Sequence, residues 1–78
     1  MDNSEKYDAA FVEGLGVSKE ELPGLAYRAV PAWDSVGHMG LMALLEESFD
    51  IALEMDDILD FSSYEKGKEI LAKYQVAL

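Results

Sequence analysis

No cysteine occurs in this chain, so neither a disulfide framework, a thiolate metal site nor a redox thiol is available to it. Basic side chains are scarce: six Lys and Arg stand against 16 Asp and Glu, a formal net charge of −10. A field of that sign opposes binding to nucleic acid or to an anionic membrane surface and favours basic partners. Long apolar runs are missing as well. The longest, Leu41 to Leu45, falls far short of the ~20 residues that cross a bilayer. The first residues, MDNSEKYD, lack the basic-then-apolar order of a secretory signal. The expectation is a soluble, cytoplasmic protein with no membrane insertion and no nucleic-acid partner.

With 78 residues the chain is read as a single domain, 1-78, of a size that buries about 60 to 65% of its unfolded surface. Stability therefore has to come from one thin core. The charge is distributed unevenly: no Lys or Arg stands between Arg28 and Lys66, while eight carboxylates fall from Asp34 to Asp60. One side of the molecule is expected to be strongly negative.

Asn3 or Ser4 is suited to cap a first helix over roughly 4 to 14, in which Tyr7, Ala10 and Phe11 recur at i, i+3 and i+4 before Gly14 and Gly16. From Gly16 to Trp33 the chain carries Pro23, Gly24 and Pro31 and reads as a long loop, with one short helical turn signalled by Ser18 and Glu21. Asp34 is a strong N-cap for a second helix from Ser35 to about Phe49. A short third helix is expected over Met55 to Leu59. Ser62 or Ser63 caps a fourth, in which Tyr64, Gly67, Leu71 and Tyr74 share a face with Ile70 beside it. Only FDIAL resembles a strand, and it is short. The fold class is all-α: a four-helix bundle of three longer helices and one short one, with a long loop between helices one and two.

On the second helix, His38, Leu41, Met42, Leu45 and Phe49 fall on one arc, suited to face a core. The opposite arc holds Val36, Met39, Ala43, Glu46 and Glu47, which read either as an apolar ridge fringed by carboxylates or as chance apolar residues on a surface helix. Gly37 and Gly40 lie inside this helix, where each costs roughly 1 kcal/mol relative to Ala. Either a well-packed helix tolerates them, in which case replacing both with alanine gains up to ~2 kcal/mol, or something requires access to the backbone.

Ser35 invites a chemical reading, since Asp34 and His38 lie beside it. A Ser-His-Asp mechanism needs the imidazole to bridge hydroxyl and carboxylate, with an oxyanion site and a pocket. Here all three residues sit at one helix start, and no G-x-S-x-G elbow surrounds the serine. The chain is not expected to be an enzyme. EMDDILDFSSYE suggests calcium, but the central glycine of an EF-hand is missing and Ile58 and Leu59 interrupt the ligands, so no metal site is expected. A serine at the first helical position projects outward, and the positive end of a helix favours an attached phosphate by ~0.3 to 1 kcal/mol. By this reasoning Ser35 is either an attachment site or a plain cap residue.

The sequence resembles the acyl carrier protein family, in which an Asp-Ser-Leu motif opens the second helix of a four-helix bundle. Here the motif is DSV, with LGV after the first helix, WDSVGHMGLMALLEESFDI for the second, MDDIL for the third and SSYEKGKEIL for the fourth. The resemblance implies that Ser35, beside Asp34, receives a covalent 4′-phosphopantetheine arm from coenzyme A through a separate phosphopantetheinyl transferase. The arm's thiol then carries an acyl group as a thioester in fatty acid, polyketide or related specialised biosynthesis. It further implies a monomer whose Val36, Met39, Ala43, Glu46 and Glu47, together with Asp56 and Asp57, dock on basic surfaces of acyl-loading and acyl-processing enzymes. Typical members place acid where Gly40 and often Gly37 stand and leucine where Val36 stands, so a dedicated pathway fits this chain better than housekeeping fatty acid synthesis. Peptidyl, aminoacyl and D-alanyl carriers share the bundle, and an acidic helical interaction module without the arm is the further alternative.

Overall fold

In the computed structural model, which describes residues 2–78, the regular structure is four α-helices and one 3₁₀ turn. α1 spans Asn3–Leu15, α2 Ser35–Phe49, α3 Met55–Asp60 and α4 Tyr64–Ala72, and the 3₁₀ turn is Lys19–Glu21. Among the described residues there is no strand, only an isolated antiparallel bridge between Ala26 and Ser63. The all-helical architecture, with a long connection between the first two helices, is therefore as the sequence leads one to expect. No helix among the described residues is long and apolar enough to cross a membrane.

The helix ends follow local chemistry, with one correction. Neither Asn3 nor Ser4 caps α1; Asp2 does, its carboxylate accepting from the Glu5 N–H at 2.8 Å. The helix therefore starts at Asn3, whose side-chain amide is free to donate to the Ala77 carbonyl and tie down the C-terminal tail. Gly16 ends α1 in the left-handed region at φ 68°. Of the two serines before α4, Ser63 is the cap, accepting from the Lys66 N–H at 2.9 Å.

The long loop is pinned rather than loose. Tyr27 N–H donates to the Ser62 carbonyl at 2.9 Å and Tyr64 N–H to the Leu25 carbonyl at 2.8 Å, joining the loop to the start of α4. Leu22, Leu25 and Trp33 drop from it into the core. At the centre lies Phe11, which meets Tyr7, Tyr64 and Trp33 edge to face with ring centroids 5.0, 5.3 and 5.5 Å away. Such aromatic pairs are worth about 0.5–1.5 kcal/mol each beyond the area they bury. Leu41, Met42 and Leu45 close the core from α2, as their arc requires, while His38 and Phe49 at its edges are half-buried. Gly67 admits α4 to this cluster: a Cβ there would stand 2.2 Å from both the Tyr7 hydroxyl and the Phe61 ring.

Two polar contacts thread the aromatic cluster. The buried Tyr7 hydroxyl donates to the Tyr64 carbonyl at 2.6 Å, and the Tyr64 hydroxyl donates to Asp8 at 2.5 Å. Burial raises the Tyr7 phenol far above its ordinary range; burial and then the Asp8 bond do the same for Tyr64.

A third polar assembly holds α3 against the end of α4. One oxygen of Asp57 accepts from the Lys73 ammonium and the other from the Tyr74 hydroxyl at 2.5 Å, while the same hydroxyl accepts the Glu54 N–H at 2.9 Å. The Lys73 bond and then the Tyr74 bond hold the Asp57 carboxyl below its ordinary value; the same carboxylate raises Lys73 and Tyr74. A depressed carboxyl stabilises the fold fully above its unfolded value, about 3.9, and loses that effect as pH falls through the lower folded one. A raised Lys or Tyr stabilises below its unfolded value, about 10, and loses the effect as pH climbs past the folded one. Denaturant unfolding of wild type and Asp57→Asn should therefore differ by a constant amount between about pH 5 and 9. The gap should close in acid below about pH 4 and again in strong alkali. A gap that widened in acid would contradict the assignment.

Candidate functional site

α2 begins at a tight corner. Trp33 N–H donates to the Val30 carbonyl at 3.1 Å and Arg28 N–H to the Trp33 carbonyl at 3.0 Å, with Arg28 held at φ 70°. Asp34 is then extended and caps the helix, its carboxylate accepting from the Gly37 N–H at 2.9 Å. Ser35 follows at the first helical position and is exposed. The corner requires glycine two residues further on. A Cβ on Gly37 would lie 1.9 Å from the Ala32 carbonyl oxygen, so the incoming loop occupies the volume that any other side chain would need. Gly40 is different: nothing lies within 4 Å of where its Cβ would stand. The access to backbone that Gly37 provides is thus used by the chain's own loop.

Beneath the corner runs a relay of hydrogen bonds. The Trp33 side chain is fully buried, and its indole N–H donates to His38 Nδ1 at 2.9 Å. An indole nitrogen only donates, so Nδ1 must accept and the ring proton sits on Nε2. Nε2 then donates to the Ile58 carbonyl at 2.7 Å, near the C-terminal end of α3, where that carbonyl's only other hydrogen bond among the described residues is from the Phe61 N–H at 3.4 Å. The half-buried imidazole thereby joins the loop, α2 and α3 in one connection. His38 is engaged structurally, and its ring does not bridge Ser35 to Asp34.

Between α2 and α3 lies a groove of about 360 Å³. Ser35 and Met39 line it from α2, Met55 and Leu59 from α3. Its buried walls are Ile58 and Phe61, with His38 half-buried beside them and Tyr27 and Ser62 completing the outline. Apart from the hydroxyls and the imidazole the lining is hydrocarbon, thioether and aromatic ring, which suits an apolar guest oriented by few polar atoms.

The ridge expected along α2 is present in part. Val36 is 80% exposed and Met39 51% exposed, with Ala43 and Glu47 exposed in line. Glu46 is half-buried and turned to the chain itself: its carboxylate accepts the Leu53 N–H at 2.8 Å and fastens the segment after α2. On α3, Asp56 is exposed but Asp57 is not, being folded into the Lys73 and Tyr74 contacts. Of the seven residues named from the sequence, Val36, Met39, Ala43, Glu47 and Asp56 are thus exposed, while Glu46 and Asp57 are engaged within the chain. Reading the sequence missed Met55, 63% exposed, and Leu59, 76% exposed, which extend the apolar rim across the groove. Their i, i+4 spacing beside the buried Ile58 was the signal available. Among the described residues no three His, Asp or Glu side chains gather as metal ligands do.

Compared with family models, with curated proteins and with solved structures, the chain has no significant match.

Two outcomes follow from this geometry. Gly40→Ala should raise stability by up to ~1 kcal/mol, whereas Gly37→Ala should lower it by about 1–3 kcal/mol because the Ala32 carbonyl must move. Thermal unfolding of the two single variants checks this, and equal gains would refute the close approach. His38→Ala leaves the buried indole N–H without a partner and the Ile58 carbonyl with only the long Phe61 N–H contact at 3.4 Å, at a cost of roughly 1–3 kcal/mol. Trp33 is the only tryptophan, so its fluorescence should shift to the red as water reaches the ring.

Proposed function

We propose that this chain is a carrier protein whose Ser35 is the anchor for a 4′-phosphopantetheine arm. The observation that carries the reading is the coincidence, at one point, of an exposed serine opening a capped helix and the mouth of an apolar groove. The residues present fit such a group. The Ser35 side chain is open to solvent, the first-turn N–H groups and the helix dipole favour a phosphodiester there, and Asp34 is engaged with Gly37. The groove that starts at Ser35 gives the far end of an arm an apolar lining.

Attachment requires the Ser35 hydroxyl oxygen to form a bond to the β-phosphorus of coenzyme A as the bond to the bridging oxygen breaks. Adenosine 3′,5′-bisphosphate leaves, and a base on the separate transferase takes the hydroxyl proton. Once bound, the group supplies a long tether ending in the thiol that this cysteine-free chain lacks, on which an acyl cargo is held as a thioester. The chain's own residues present the anchor, shelter an apolar cargo and offer the rim of Val36, Met39, Met55 and Leu59 for docking. With a net charge of −10 and Glu47 and Asp56 at that rim, enzymes with basic surfaces are the fitting partners. The apolar groove favours acyl over aminoacyl cargo, since a free ammonium group would find no carboxylate among the groove's lining side chains.

Incubation with coenzyme A and a broad-specificity phosphopantetheinyl transferase should add the mass of one arm to the wild-type chain and nothing to Ser35→Ala, read by intact mass. Gain of the arm by Ser35→Ala would move the anchor elsewhere. A wild-type chain that stays unmodified would leave an interaction module without the arm as the better account.

A further inference from the structure

His38 lines the groove beside Ser35 and also ties its two helices together. Its Nε2–H spans from α2 to the Ile58 carbonyl of α3 at 2.7 Å, and its Nδ1 is held by the indole of Trp33 at 2.9 Å. On the core side, its partner Trp33 and Leu41, three residues on along α2, are both fully buried. An apolar chain reaching past the imidazole would have to break its bond to the Ile58 carbonyl and strand the buried indole N–H, in an interior packed as densely as protein cores are. The outer part is hospitable in a different way. Tyr27 and Phe61 both stand edge-on to the His38 ring, with centroids 5.5 and 6.1 Å away, and Met39 and Met55 also line the opening. Aromatic edges and adaptable methionines suit a compact or planar group.

Resting on the reading of Ser35 as an anchor, we infer that His38 is a specificity-determining residue. By tying α2 to α3 it restricts sheltered cargo to compact acyl groups, short or aromatic, and leaves a long unbranched chain outside the bundle.

The absence of cysteine makes a test possible that needs no transferase. Ser35→Cys supplies a single thiol, to which pantetheine-length tethers ending in acetyl, hexanoyl, benzoyl or hexadecanoyl groups are joined by alkylation. With His38 intact, the hexanoyl and benzoyl conjugates should melt a few degrees above the acetyl one and show cross-peaks from cargo to the Met39 and Met55 methyls. The hexadecanoyl conjugate should melt no higher than the hexanoyl, with no contact between its chain end and Trp33 or Leu41. In His38→Ala the order should change, hexadecanoyl becoming the more stabilising; should that variant not fold, the series with His38 intact decides alone. A hexadecanoyl conjugate that melts well above the hexanoyl with its end against Trp33, or compact cargo that never touches Met39 or Met55, would overturn the inference. Because attachment is chemical, these results are read separately from whether a transferase modifies Ser35 in the wild-type chain.

Discussion

The constraint on which the rest of this small structure turns is the need of one buried indole N–H for an acceptor. Trp33 is too large to be left out of a core of this size, and once it is fully buried its nitrogen must be paired. His38, one turn into α2, meets that need and passes the polarity on to the Ile58 carbonyl. α3 has six residues, too few to persist as a helix by itself. It stays in place because Ile58 is buried, because its carbonyl is taken by His38, and because Asp57 is grasped by Lys73 and Tyr74 from the end of α4. Those ties set α3 across from α2 at the distance that leaves a groove rather than a seam.

Seen this way, the features that suggest function are the places where packing stops. Val36, Met39, Met55 and Leu59 would each stabilise the fold if covered, yet they stay exposed around Ser35. An apolar rim among carboxylates is a surface suited to a partner. The same corner that exposes Ser35 is firmly made: Asp34 caps it, the Ala32 carbonyl crosses it at Gly37, and the Trp33 ring underlies it. On the proposed reading, the anchor is carried on rigid elements and the arm would supply the reach.

Much of this was legible in the sequence, because helix caps and amphipathic spacing are local signals. Asp34, the serine pair Ser62 and Ser63 and the 3.6-residue spacing of Leu41, Met42 and Leu45 place α2 and α4 without tertiary information. What sequence could not supply were the long-range polar partners. Asp57 looks like one more surface carboxylate until Lys73 and Tyr74, 16 and 17 residues on, are brought to it. Glu46 looks like part of the ridge until the turn at Asp50, at φ 53°, carries the Leu53 N–H back within reach. Gly37 and Gly40 look alike as helix glycines, and only the path of the loop before the helix tells them apart. Asp2 outbids Asn3 as the cap of α1 through a choice of one residue, below what propensity resolves.

The relay makes a definite claim about a single proton, and the chain has a single histidine on which to look for it. A long-range proton–nitrogen correlation spectrum of the imidazole at neutral pH reports which ring nitrogen carries hydrogen. The hydrogen bonds place the proton on Nε2, with Nδ1 accepting from the Trp33 indole N–H. A proton fixed on Nδ1, or two nitrogens averaged by free exchange, would mean that the indole is not paired as described and that the corner presenting Ser35 is held in some other way.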